Sequence, residues 1–373
     1  MKNLNHPICS SVGRRGLAGL AGILLAFSSF AADGQAGASG DSPAVTGLTY
    51  LNNVTFPTGL RYEGWTTGGL SGIDWNPVSK EFVTTRDNTR PGLGPDGAGQ
   101  TSLFTLIPEF TPGQPGYSVK FTGVTPMNNP DWQPETNGLE AVQYDPDGDG
   151  LWLSSESENV LYHLHRDGKT RETITLPEIV TGGAGNTQLE GMAFTPGGEL
   201  WVIREAPRAE DNGIIRISHL KKDGQVIAQY PYRMDDLLNN GVSELLATTE
   251  DSFLVMERGW DGKSPDTEPT GESHNSVRVY RVDLSAATDI SGNKALAANS
   301  TTPVEKTLVF DSKDVAGVLN TWDTKIDNLE GMSFGPTLLD GKKSLIMVSD
   351  DNFLAKQRKT QFIIFRVEQG NAE

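Results

Sequence analysis

From residue 45 onward the chain alternates short apolar runs of five to eight residues with clusters of Gly, Pro, Asn and Asp. Val, Ile, Phe, Tyr and Trp fill the runs, as in pleated, half-buried strands, and the clusters carry the turn chemistry that bounds them. Four runs of strands are read in order: 69–75, 80–87, 101–107 and 117–124; 138–144, 150–156, 158–165 and 171–176; 188–194, 199–205, 213–219 and 226–232; 242–248, 252–257, 276–283 and 304–310. Three more follow at 328–334, 344–350 and 361–367, and one precedes all of them at 48–56, which makes twenty. Long helical periodicity is absent, and the two short helical patterns are residues 234–239 and 314–321.

The first strand of each group carries a repeat. QLEGMAF at 188–194 returns as NLEGMSF at 328–334, with looser copies GLEAVQY at 138–144, GLSGIDW at 69–75 and VSELLAT at 242–248. Successive copies start 69, 50, 54 and 86 residues apart, room for four strands with loops of variable length. A period of this size decides the architecture before any local feature does. Four-stranded units repeated radially make an all-β propeller. The strand count gives five blades, and the 86-residue gap leaves room for a sixth. The last group has only three strands, so the strand at 48–56 is expected to complete it, closing the ring and removing an edge. The propeller is expected to span residues 45–370 as a single domain. Residues 89–100, 126–137 and 259–275 read as surface loops, and 286–302, small and polar, as a loop insertion or disordered segment.

Each repeat pairs two polar positions. The motif positions are Ser71, Glu140, Glu190, Glu244 and Glu330; the second strands end on Asp87, Glu156, Glu205, Glu257 and Asp350. The second acid lies 16, 16, 15, 13 and 20 residues after the first position. In a blade, the start of the first strand and the end of the antiparallel second lie at the same end. The spacing therefore predicts nine carboxylates around one channel mouth. Like charges gathered there must be paired, protonated or metal-bound. All-oxygen ligands select a hard cation such as Ca²⁺, which takes about six to eight oxygens. Arg86, Arg204 and Arg258 each adjoin a strand-end acid and are expected to bind phosphate beside the metal.

Composition narrows the partners. The formal charge is −17, and it becomes −20 once Lys2, Arg14 and Arg15 are removed with a leader. A balance this acidic excludes nucleic acid and anionic membrane surfaces as partners. Residues 1–32 have the form of a signal peptide: Arg14 and Arg15, an apolar run at 16–30, then Ala31 and Ala32 for cleavage. The run is shorter than the roughly 20 residues of a membrane span, so the mature chain is expected to have none. The one cysteine, Cys9, falls in the leader, so the mature chain would fold without disulfides. Periplasmic or secreted residence follows, with a monomer expected.

Other chemistry finds less support. Residues 145–156 (DPDGDGLWLSSE) match the EF-hand calcium loop, but strands flank them. With 150–156 extended at about 3.3 Å per residue, Glu156 would lie roughly 17–20 Å from Asp149, too far for one ion. Ser71 in GGLSGID lacks the second glycine of a nucleophile elbow. His163 and His165 share a strand face without zinc spacing, and His219 and His274 are isolated. Trp260, in RGWDGK, is the tryptophan placed at a site rather than in a core.

The L-E-G repeats, the acid-ended second strands, E-R-G-W at 257–260 and S-D-D-N-F at 349–353 together resemble the phytase-like family, described by an esterase-like activity of phytase. The resemblance covers about residues 48–367. It implies a propeller, export, and calcium-linked hydrolysis of a small anionic phosphoester. The D-D-P-A-[IL]-W opening motif of the six-bladed β-propeller phytases is absent, so no catalytic residue is carried over from them. On the residues alone, Glu205 or Glu257 would serve as general base. The alternatives are a metal-dependent propeller lactonase or carboxylesterase, and a propeller that binds without turnover.

Overall fold

A computed structural model describes residues 43–87, 92–95, 101–127, 138–182, 188–235, 241–260, 275–297, 299–315, 317–319, 325–354 and 359–370. The leader expected at residues 1–32 lies outside them, as do most of the three long loops and His274.

Strand β1 (Ala44–Pro57) opens the fold, and a two-stranded hairpin follows, β2 (Arg61–Tyr62) with β3 (Trp65–Thr66). Blade one is β4 (Leu70–Asn76), β5 (Glu81–Arg86), β6 (Ser102–Phe110) and β7 (Tyr117–Pro126). Blade two is β8 (Leu139–Tyr144), β9 (Gly150–Ser155), β10 (Val160–His165) and β11 (Thr170–Thr175). After the one-turn helix α1 (Glu178–Thr181), blade three is β12 (Leu189–Phe194), β13 (Leu200–Arg204), β14 (Ile215–Leu220) and β15 (Val226–Tyr232). Blade four is β16 (Gly241–Ala247), β17 (Ser252–Trp260), β18 (Asn275–Asp283) and β19 (Glu305–Asp311). Blade five is β20 (Leu329–Phe334), β21 (Ser344–Ser349) and β22 (Lys359–Gly370), and β1 is its fourth strand. The propeller has five blades, and the long gap before β20 holds no sixth among the described residues.

Ring closure follows the expectation. β1 pairs antiparallel with β22 from Ala44↔Gly370 to Pro57↔Lys359, so the outermost strand of the last blade is the first strand of the chain. The alternating side chains of each sheet bury apolar residues on both faces, and each junction between neighbouring blades holds its own core. Leu246, Leu254, Met256 and Val279 of blade four meet Met332, Met347, Ile363 and Phe365 of blade five. Ile73, Phe82 and Phe104 of blade one meet Ile346, Phe362 and Ile364 of blade five. Clusters of the same kind join blades three and four, two and three, and one and two. At about 1.5–3 kcal/mol per fully buried large side chain, these junctions dominate the stability. They need no core larger than two blades can cover.

The glycine of L-E-G has a steric reason. A Cβ on Gly191 would stand 2.4 Å from Leu245 N of the next inner strand, and one on Gly72 would stand 2.5 Å from Glu140 O. The inner strands pass so closely that only hydrogen fits there.

Three local expectations narrow or change. Of the two readings of residues 286–302, the described part fits the loop insertion, and it is anchored. Ile290 and Leu296 bury against Ile214, and Leu296 N donates to Glu210 O. Arg216 and Asp211 form a buried bidentate pair at 2.7 and 2.8 Å, and Arg216 also donates to Ile290 O and Asn293 O, stitching the segment to blade three. Residues 312–315 form a 3-10 turn in place of a helix over 314–321. Met234 and Asp235 are irregular, and the rest of 234–239 lies outside the described residues.

Candidate metal centre

The mouth is built by a bulge repeated in every blade. The pairing of first and second strands breaks register between Leu70 and Gly72, Leu139 and Val142, Leu189 and Met192, Val242 and Glu244, and Leu329 and Gly331. A bulge re-aims the side chain it sets out of register. The residues set out here begin with Ser71, Glu140, Glu190, Ser243 and Glu330. Opposite them, the backbone N–H of the residue after β5, β9, β13 and β21 returns to the first strand of its own blade. Asp87 N donates to Gly69 O, Glu156 N to Gly138 O, Glu205 N to Gln188 O and Asp350 N to Asn328 O, at 2.8–3.0 Å. Seven of the nine expected acids thereby share one end of the channel: Asp87, Glu140, Glu156, Glu190, Glu205, Glu330 and Asp350.

Blade four departs from the expected ring. Val242 pairs with Glu257, where Leu189 pairs with Arg204 and Leu139 with Ser155. The residue facing the mouth is therefore the next one, Arg258, and the bulged position is Ser243 rather than Glu244. Strand alternation sends Glu244 and Glu257 elsewhere. The Glu244 carboxylate is buried deeper, accepting from Leu245 N at 2.9 Å and from Met332 N of blade five at 3.4 Å. Glu257 is fully buried in a separate network, accepting from Tyr232 Oη at 2.5 Å, Lys306 Nζ at 2.8 Å and Asp235 N at 3.1 Å.

The same alternation withdraws two arginines from the mouth. Arg86, one residue before Asp87, donates to Thr66 O at 2.8 Å, with its guanidinium over Trp65, Phe104 and Phe353. Burial lowers its pKa to about 10. Arg204 packs against Gly182 beside Arg208 and Asp211, with Glu156 among its weaker charge neighbours. Arg258 alone of the three donates to ring carboxylates: Nη1 to Glu330 Oε1 at 2.6 Å and Nη2 to Glu205 Oε1 at 3.2 Å. It also donates to Asn328 Oδ1, and Asn328 Nδ2 donates to Glu330 Oε1 at 2.7 Å. The surrounding carboxylates hold the Arg258 pKa above its ordinary value against the opposing cost of burial. Trp260 ends β17 two residues later and is 45% exposed.

Apart from the Arg258 contacts the ring acids have few partners. Oxygens of Glu156, Glu190 and Glu205 lie within 4.8 Å of one another. Glu156 accepts from Gln188 N at 3.2 Å. Glu140 and Glu190 are each 7% exposed, and no described residue donates to either carboxylate. Burial, and then repulsion from neighbouring acids, pushes both far above the ordinary carboxylate range. Asp350 is raised the same way by burial and by Glu330 and Asp87, although Asn352 N donates to it at 2.6 Å. Burial raises Glu156 and Glu205 too, and for Glu205 the nearby Arg258 works against the rise. An all-oxygen cluster, buried and short of donors, fits a hard divalent cation, which would displace the protons and supply the missing partner at once.

The remaining expectations fall outside the mouth. Within the 145–156 segment, residues 145–149 are the turn between β8 and β9, and the rest is β9 itself. Asp145 N donates to Gly150 O at 3.1 Å and Asp147 N to Asp145 Oδ1 at 3.1 Å, while Glu156 stands at the opposite end of β9. His163 stacks on Trp152 and bonds Asp145 Oδ2 at 2.9 Å, and His219 stacks on Trp201 and bonds Glu199 at 2.8 Å. These are matched cross-strand pairs of blades two and three. Among the described residues no helix is long and apolar enough to cross a membrane.

Fold and mouth define a five-bladed propeller with a carboxylate-lined channel entrance. The chain belongs to the phytase-like family, whose model, described as esterase-like activity of phytase, matches residues 66–353. No curated protein sequence matches the chain. Among solved structures, a luciferin-regenerating enzyme aligns at 11% identity and TM-score 0.39 over 86% of this chain and 98% of its own. The PQQ-bound aldose sugar dehydrogenase of Streptomyces coelicolor aligns at 13% and 0.40 over 88% and 100%. A DUF4221 protein of Bacteroides vulgatus aligns at 8% and 0.41 over 88% and 100%. TM-scores this low carry no functional argument.

Proposed function

We propose that the protein is an exported, calcium-dependent hydrolase of small phosphoric esters, with its centre at the carboxylate mouth. The observation that carries the reading is the trio Glu156, Glu190 and Glu205, with oxygens within 4.8 Å, in a member of the phytase-like family. Glu156 and Glu190 would hold the ion, with Glu140 next to them. Calcium bound there would polarise a phosphoryl oxygen and acidify a bound water.

The chain's own groups divide the remaining work. Glu205 is the acid assigned as general base, because it faces the mouth and burial raises its pKa above the ordinary carboxylate value, which favours proton uptake. Glu257, locked to Tyr232 and Lys306, is not available for that role. Arg258 orients Glu205 through Nη2 and presents a guanidinium at the mouth to a substrate oxyanion. The leader at residues 1–32 carries the chain to the periplasm or medium, and the folded protein acts as a monomer.

The test is phosphate release from phytate and from an aryl phosphate. Activity should vanish with chelator and return with Ca²⁺. Full turnover in excess chelator refutes the reading. Hydrolysis of lactones or carboxylic esters without phosphate release would move it to the carboxylesterase class.

A further inference from the structure

We infer that Arg258 stands in for a metal ion at the blade-four side of the mouth, tying Glu205 to Glu330 and confining calcium to the arc of blades five, one, two and three. The inference rests on the proposed calcium centre and specifies how many ions it takes and where.

The register places it. In blades one, two, three and five, the residue whose backbone closes onto the first strand at the mouth is an acid: Asp87, Glu156, Glu205 and Asp350. In blade four the aligned residue is Arg258, since Val242 pairs with Glu257 as Leu189 pairs with Arg204. The bulged partner is neutral as well, Ser243 in place of Glu190 or Glu330. One blade has therefore exchanged two carboxylates for a hydroxyl and a fixed cation.

The contacts show what the cation does. Arg258 reaches the acid of blade three on one side, at 3.2 Å, and the acid of blade five on the other, at 2.6 Å. Those two acids flank the gap left by blade four. Glu140 of blade two and Glu190 of blade three are more than nine-tenths buried and receive no hydrogen bond from any described residue, although the Arg258 charge is felt at Glu190. The acids without a donor thus lie where the guanidinium does not bond, and a soluble cation has its unmet demand there. A guanidinium is always charged and directional, so it satisfies its two acids whatever the calcium concentration.

The experiment compares the purified protein with Arg258→Gln and Arg258→Lys. Bound calcium is measured after equilibrium dialysis by elemental analysis, with calorimetry for affinity. Arg258→Gln is expected to bind one more equivalent of Ca²⁺ than the parent, and Arg258→Lys the same number. Equal stoichiometry and affinity in the parent and Arg258→Gln would overturn the inference while leaving the calcium centre standing. A parent that binds no Ca²⁺ overturns both. Should Arg258→Gln fail to fold, anomalous diffraction from a terbium-soaked crystal of the parent decides. Ions bonded to Glu156 and Glu190 with none bonded to Glu330 support the inference, and an ion on Glu330 with Arg258 displaced refutes it.

Discussion

Asp74 offers a direct measure of how much buried charge costs this channel. It lies on β4, where its Oδ2 accepts from Tyr144 N of blade two at 2.8 Å and its Oδ1 from Ser333 Oγ of blade five at 3.3 Å. Burial outweighs these hydrogen bonds and raises its pKa from 3.8 to about 6. A raised carboxyl pKa means that the folded state keeps its proton longer than the unfolded chain does. Stability is therefore full at low pH and declines as pH climbs from about 4 through 6. At about 1.4 kcal/mol per pH unit the loss is at most roughly 3 kcal/mol, and the partial exposure of the residue lowers that toward 1–2 kcal/mol. Asp74→Asn preserves the shape, with the amide oxygen accepting from Tyr144 N and the amide nitrogen donating to Ser333. The variant should match the parent near pH 4 and exceed it at pH 8. With about 2.1 cal/mol/K of unfolding entropy per residue over roughly 330 residues, 1–2 kcal/mol corresponds to a rise in Tm of about 1.5–3 °C. Differential scanning calorimetry at both pH values, in chelator so that metal plays no part, reads the difference. A variant less stable than the parent by the same amount at pH 4 and pH 8 would show that the carboxylate is not strained by burial.

Four further outcomes are expected. Glu190→Gln should weaken Ca²⁺ binding at least about tenfold by calorimetry, since it removes one of three converging carboxylates, and unchanged affinity would place the ion elsewhere. Because Glu140 and Glu190 hold protons well above the ordinary carboxylate range, Ca²⁺ must displace them. Affinity should rise as pH climbs above the ordinary carboxylate range, by up to about tenfold per proton per pH unit, and a flat profile counts against the two as ligands. Asp211→Ala leaves Arg216 buried without its carboxylate and should cost about 3–5 kcal/mol in a denaturant titration, a loss that Asp211→Asn only partly avoids. Gly69→Ala puts a Cβ 2.4 Å from the Phe353 ring at φ +63°, so its Tm should fall by several degrees, and a neutral result would mean that this junction of blades one and five yields easily.

The architecture was legible because it is written in repeats. Strand alternation located β4 to β22, the L-E-G copies counted the blades, and the short last group pointed to β1 as its missing strand. The mouth was legible where the repeat is regular, in blades two, three and five. It misled in blade four, where V-S-E-L placed a glutamate one residue beyond the bulge. The signal was there: 13 residues separate Glu244 from Glu257, but 15 separate Ser243 from Arg258, as they do Glu190 from Glu205. A search for acids passes over an arginine at the equivalent position. Arg86 and Arg204 adjoin ring acids in sequence, yet alternation turns adjacent residues to opposite faces, so adjacency argued against their reaching the mouth. Residues 286–302 read as no more than a loop insertion or disordered segment because their two anchors, Ile290 and Leu296, are spaced without period and their buried partner, Arg216, lies some 70 residues earlier.

The pairing of β1 with β22 also fixes an order of events. Ala44 finds its partner only when Gly370 has been made, so the closing strand waits through the synthesis of nearly the whole chain. Contacts so distant along the chain carry the largest loop-closure entropy and form late. Blades one to four can assemble from local hairpins as each emerges, but blade five cannot. Its acids, Asp350 and the Glu330 that Arg258 clasps, therefore reach the mouth last. A chain cut short before β20 would leave four blades with an open edge at each end and a mouth lacking two of its seven carboxylates.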